Sequence, residues 1–118
     1  MRRDAPSRVE FLQGTLDLLI LRTLLAGPAH GHAIAKHIQR TSEDLLQVET
    51  GSLYPALHRL EAKGWVAPSW ELSDKGKRAR FYRLTALGLR QFAAEQSKWN
   101  AFSRAMALIL NPADQEGQ

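Results

Sequence analysis

The stretch KGKRARFYR carries five cations in nine residues, at Lys75, Lys77, Arg78, Arg80 and Arg83, with no acid among them. Cations so spaced can neutralise phosphates, although a solvated turn carries the same charges. Upstream, ETGSLYPALHRLEAKGW at 49–65 sets Tyr54, His58 and Arg59 beside a leucine stripe and places Pro55 near the start of an amphipathic helix. Leu53, Leu57 and Leu60 recur at i, i+4 and i+7 and face inward. Ser52, Pro55 and Arg59 fall on the other side, and Tyr54 and His58 form a flank. Proline harms a helix interior but not a first turn, whose amides are unbonded anyway. With Ser52 as N-cap, Pro55 takes the third helical position, and the amides near Gly51 and Ser52 stay free for an anion. Tyr54 can then set its ring on a sugar or thymine methyl, with His58 and Arg59 one turn deeper at base edges. A recognition helix enters a major groove in this way. The alternative is a Tyr54 packed on a neighbour and a solvated Arg59.

Other chemistries fare worse. His30 and His32 flank one residue and invite a metal, but no cysteine or obvious carboxylate partner accompanies them, so capping or surface roles are expected. There is no cysteine nucleophile, no glycine-rich phosphate loop, and no carboxylate pair at useful spacing from a histidine. Glu43 and Asp44 are adjacent but sit in a polar break. An enzyme is not expected, and neither a metal nor a cofactor. The absence of cysteine suits a reducing cytoplasm. The net charge of +4 favours a polyanionic partner. Arg2 and Arg3 before the apolar run 16–25 imitate a twin-arginine leader, yet Asp17 and Arg22 interrupt that run. It is also too short to span a membrane.

These residues need elements to hold them. The 118 residues support one domain. Residues 1–10 are polar and expected to fray. TLDLLILRTLLA at 15–26 reads as a helix stopped by Gly27 and Pro28. Its stripes, Leu16/Leu19/Ile20/Leu24 and Leu18/Leu21/Leu25, are apolar on nearly all sides and need more cover than a small domain offers. Residues 27–30 read as loop and 31–40 as a short helix with Ile34 and Ile38 inward and Lys36 and Arg40 sharing a face. The helix around Tyr54 ends at Gly64. Runs 65–72 and 79–84, joined by 73–78, read as a hairpin. Thr85 caps a helix to about residue 110, roughly 39 Å long. The fold expected is mainly α: a winged helix-turn-helix domain over 1–84 (three helices and a β-hairpin wing), a dimerisation helix over 85–110 and a tail over 111–118.

In the last helix Phe92, Trp99 and Met106 recur every seven residues, and Phe102 and Ile109 repeat that interval, a seam suited to helix pairing. With Leu18, Leu21 and Leu25 of the first helix, these form the expected homodimer interface. Laying the last helix of each chain on the first helix of the other would set two recognition helices about 34–36 Å apart, matching an inverted-repeat operator. Trp65, Trp70 and Trp99 could stack on a planar aromatic, although packing is their commoner use.

Together GTLDLLILRTL at 14–24, GPAHGHAI at 27–34, GSLYPALHRLEAKGWV at 51–66 and RARFYRLTALG at 78–88 resemble the PadR-like transcriptional regulators, in the family's order. The third stretch matches the family's recognition helix, and the long last helix matches the short subgroup with one dimerisation helix. One departure is His32, where the family usually has an aromatic. The resemblance implies a homodimeric, sequence-specific repressor of double-stranded DNA controlled by a small, often aromatic, ligand. On the residues, Lys36, Arg40, Gly51, Ser52, Tyr54, Pro55, His58, Arg59, Lys75, Lys77, Arg78 and Arg80 are the expected DNA contacts. The competing class is a winged-helix module that docks a protein on its basic wing.

Overall fold

The computed structural model describes residues 11, 12 and 14–112, so the expected frayed start and the tail beyond 112 lie outside the described residues. The elements are α1 Thr15–Leu25, β1 Ala29–His30, α2 Gly31–Thr41, α3 Thr50–Ala62, β2 Val66–Leu72, β3 Arg78–Leu84 and α4 Ala86–Leu110. The order is that of a winged helix with one addition. β1 pairs antiparallel with β3, giving a three-stranded sheet in the order β1-β3-β2 where a two-stranded hairpin was expected.

Ile20, Leu21, Ile34, Leu53, Leu57 and Leu60 are fully buried, so α1, α2 and α3 close on one another around their aliphatic stripes. Val66, Tyr82 and Phe92 extend this core to the sheet and the start of α4. Two residues expected at a subunit interface are thereby corrected. Leu21 has no exposed surface and Phe92 only 6%, so each serves its own chain's core. Leu25, Trp99, Phe102, Met106 and Ile109 do remain exposed, and Leu18 half-buried.

The start of α3 also differs. Its N-cap is Glu49, without a side-chain cap, rather than Ser52. The amides of Ser52 and Leu53 both donate to the Glu49 carbonyl, at 2.9 Å each. Pro55 is therefore the sixth helical residue and removes the amide that would bond the Gly51 carbonyl. Both Gly51 and Pro55 are exposed, which leaves that carbonyl open to outside donors.

Thr85 caps α4 as expected, its hydroxyl accepting from the Gly88 amide at 3.0 Å. The Trp65 carbonyl accepts the Thr85 amide at 3.1 Å, and the Thr85 hydroxyl donates to the neighbouring Gly64 carbonyl at 2.7 Å. Gly88 is buried against the Trp65 carbonyl. A Cβ there would collide with the carbonyl oxygen and come within 2.9 Å of its carbon. Gly88→Ala is therefore expected to push α4 off the turn at Trp65 and destabilise by about 1–3 kcal/mol, as overpacking does. A lowered urea midpoint at constant slope is the expected reading; an unchanged midpoint would show that the junction gives way freely.

The second half of α4 stands clear. From Gln96 to its end every residue is exposed. The radius of gyration is 16.9 Å, against about 13.5 Å for a compact chain of this length.

Candidate nucleic-acid interface

Three local devices aim the polar side chains. At the start of α2, His30 Nδ1 accepts the Ala33 amide at 3.2 Å, so His30 is a helix cap. At its end, Glu43 and Asp44 take left-handed φ of 54° and 68°, and Asp44 accepts from Gln39 Nε2 at 3.0 Å, turning the chain towards α3. In the hairpin, Gly76 at φ 78° closes the turn, with the Ser73 amide donating to the Lys77 carbonyl at 2.8 Å.

The result is an open cleft of about 720 Å³ between α2, the start of α3 and the hairpin tip. Lys36 and Arg40 line it from α2, Tyr54 from α3, and Lys75, Lys77, Arg78 and Arg80 from the hairpin. Seven of the expected contact residues thus share one surface. His30 and His32 line it too, their rings 6.3 Å apart, and His30 meets the edge of Phe81 at 5.2 Å. Asp74 is the one acid on that lining. The histidines' place here was missed in the sequence; capping was the expected role, and for His30 the structure shows it.

Tyr54 owes its place to Gly31. A Cβ on Gly31 would lie 2.7 Å from the Tyr54 hydroxyl oxygen and 3.0 Å from two ring carbons. Only glycine lets the phenol lie over the first turn of α2, where Tyr54 keeps 40% exposure. Gly51, Ser52, Pro55 and His58 lie on the exposed side of α3, outside the cleft lining.

Two of the expected contact arginines meet acids. Arg59, still 55% exposed, places Nη2 at 2.9 Å from Asp17 Oδ1 of α1, an ion pair between the two helices. Arg80 Nη2 reaches both carboxylate oxygens of Glu61, at 2.9 and 3.1 Å, and its Nε is buried without a partner. It braces the hairpin against α3 rather than reaching out. Beneath it, burial pushes the Tyr82 phenol above its ordinary pKa, partly opposed by the Arg80 charge. Among the described residues, the cleft cations without an acid partner are Lys36, Arg40, Lys75, Lys77 and Arg78, enough to hold several phosphates at once.

The three tryptophans do not form one aromatic site. Trp65 lies under Lys63 Nζ at 4.6 Å, Trp70 under Arg78 at 5.4 Å, and Trp99 beside Phe102 on α4 at 6.3 Å. Among the described residues no cluster of three or more metal-ligating side chains exists, and no helix is long and apolar enough to cross a membrane.

Residues 20–94 match the model of the transcriptional regulator PadR-like family. A transcriptional regulator of Mycobacterium tuberculosis is 34% identical over 79 residues, covering 67% of this chain and 70% of that protein. The crystal structure of a PadR family transcriptional regulator from Eggerthella lenta superposes with a TM-score of 0.71 at 30% identity, covering 84% of each chain. A PadR family transcription regulator from Clostridium difficile gives a TM-score of 0.73 at 28% identity, over 83% of this chain and all of that one. With the family model matched over residues 20–94, more than half of its length, the chain belongs to the PadR-like family of transcriptional regulators.

Proposed function

We propose that this regulator acts as a homodimer on double-stranded DNA, with α3 in the major groove and the β2–β3 hairpin as a wing on the adjacent backbone. The observation that carries this is the cleft, where Lys36, Arg40 and Tyr54 of the helices meet Lys75, Lys77 and Arg78 of the hairpin. Tyr54 and the exposed edge of α3, with His58 a turn further on, supply base-directed contacts; the cations supply register and affinity. Repression by occupying an inverted-repeat operator, and release by a small aromatic ligand, rest on the family resemblance. The best-shaped place for such a ligand is the groove of about 350 Å³ between α1 and α4, walled by Leu18, Phe92 and Trp99. A cytoplasmic location fits this role.

The experiment is a titration of the upstream DNA of its own gene, and of unrelated duplex, across a range of salt. Specific binding with a steep salt dependence supports the reading; flat, weak binding to both would favour the protein-docking module. Tyr54→Ala is expected to cost on the order of 1–3 kcal/mol for the specific duplex while leaving the fold intact, since Tyr54 is no part of the core. Arg59→Ala should change binding far less, because its guanidinium serves Asp17. An Arg59 effect as large as that of Tyr54 would return it to the base-reading set.

A further inference from the structure

One feature of the hairpin is unexplained by phosphate contacts. On β2 the buried Val66 and half-buried Pro68 are followed on the same face by Trp70 and Leu72, which are 60% and 68% exposed. The register places Arg80 opposite Trp70 and Arg78 opposite Leu72. The face that seals the core at one end of the hairpin thus runs into water at the other as two large apolar side chains among cations. Arg78 lies over the indole at 5.4 Å. The turn just beyond adds Lys75 and Lys77. Single exposed apolar residues are ordinary, but a tryptophan and a leucine side by side on a projecting arm call for an occupant.

We propose that Trp70 and Leu72 are a wedge that enters one base step of duplex DNA from the minor groove and unstacks it, while Lys75, Lys77 and Arg78 hold the flanking phosphates. This rests on the DNA-binding reading above. Apolar wedges between base steps are an established way to kink a duplex, and pyrimidine–purine steps yield most easily. Charge selects DNA as the occupant. Arg78 lies over the patch and Lys75 and Lys77 follow in the turn, whereas Glu71 belongs to the opposite face, where it accepts from the Ser69 hydroxyl at 2.8 Å. Asp74 alone offsets them at the turn. Arg78, which lies over Trp70, also lines the cleft and so links the patch to it. The Glu61–Arg80 brace sits directly across from Trp70, so the wedge is held at a set angle to α3. The wedge would give this regulator sequence preference at a step that no polar side chain reads.

The test begins with duplexes retained by the full-length protein from a random-sequence pool, into which 2-aminopurine is placed position by position. Wild type should brighten the probe at one step. Trp70→Phe should keep part of the signal, and Trp70→Ala and Leu72→Ser should lose it and bind at least about tenfold more weakly, on the scale of one lost contact. Thermal melts confirm folding of each variant, which exposure of both side chains favours. Replacing the bright step by a stiff A-tract should weaken wild type and leave Trp70→Ala unchanged. A retained duplex with no bright position, or a Trp70→Ala that binds as wild type does, overturns the wedge alone. A Trp70→Ala that shifts the sedimentation of the free protein makes the patch a subunit contact and also overturns it. A pool that retains no duplex overturns the wedge together with the DNA reading.

Discussion

Replacing Lys75, Lys77 and Arg78 together by glutamine should lower the slope of log affinity against log salt by about 2.7, at about 0.9 for each lost phosphate contact. At physiological salt the same loss amounts to on the order of 100-fold in affinity, for specific and random duplex alike. The effect is non-specific because phosphates carry no sequence. All three side chains are exposed, and apart from Arg78 over Trp70 no hydrogen bond or ion pair engages them among the described residues. Folding should therefore be undisturbed. Arg80 is deliberately excluded, since removing it would release Glu61 and tilt the hairpin. An unchanged slope would make the basic run a solvated turn.

The second large effect concerns the free half of α4. Trp99, Phe102, Met106 and Ile109 follow a 3-4-3 spacing and are 37%, 55%, 40% and 73% exposed. That spacing is the seam of a left-handed helix pair. Beside it, Leu12, Leu18, Trp99 and Phe102 line a hollow adjoining the proposed ligand groove. In the proposed dimer a second copy would cover the seam and this hollow. Sedimentation at low micromolar concentration is expected to give twice the 13.2 kDa chain mass. Phe102→Asp with Met106→Asp should give monomer, because burying unpaired carboxylates in a seam is prohibitive. Truncation is best made after Lys98, since a cut at Phe92 would breach the core itself. A wild-type chain that sediments as a monomer would remove the dimer and the paired half-sites with it.

Much of this architecture was legible in residue spacing. The helices came out to within a residue or so where burial imposes a 3.6-residue period, as in α1 and α2, and where a cap marks the start, as Thr85 does for α4. The start of α3 did not, because Ser52 is a good cap and Pro55 suits a first turn. Nothing in the pattern shows that a helix begins three residues earlier and carries the proline on its solvent side. Strand β1 has two residues, too few to alternate. Arg59 and Arg80 looked like their neighbours, and what separates them is tertiary: their acids lie 42 and 19 residues away. Leu21 was misplaced for a related reason. A helix apolar on nearly every side does not say which stripe its own domain will cover.

The weld at Trp65 has a mechanical consequence. With the Thr85 amide hydrogen-bonded to that carbonyl and Gly88 pressed against it, α4 is clamped at one end to the turn between α3 and β2. The residues of α4 beyond Gly88 form a lever about 33 Å long, so a tilt of about 10° at the fixed end moves the far end by about 6 Å. Run in reverse, in the proposed dimer a few ångströms of sliding between the free ends of two such levers would become a rotation of the domains at their clamped ends.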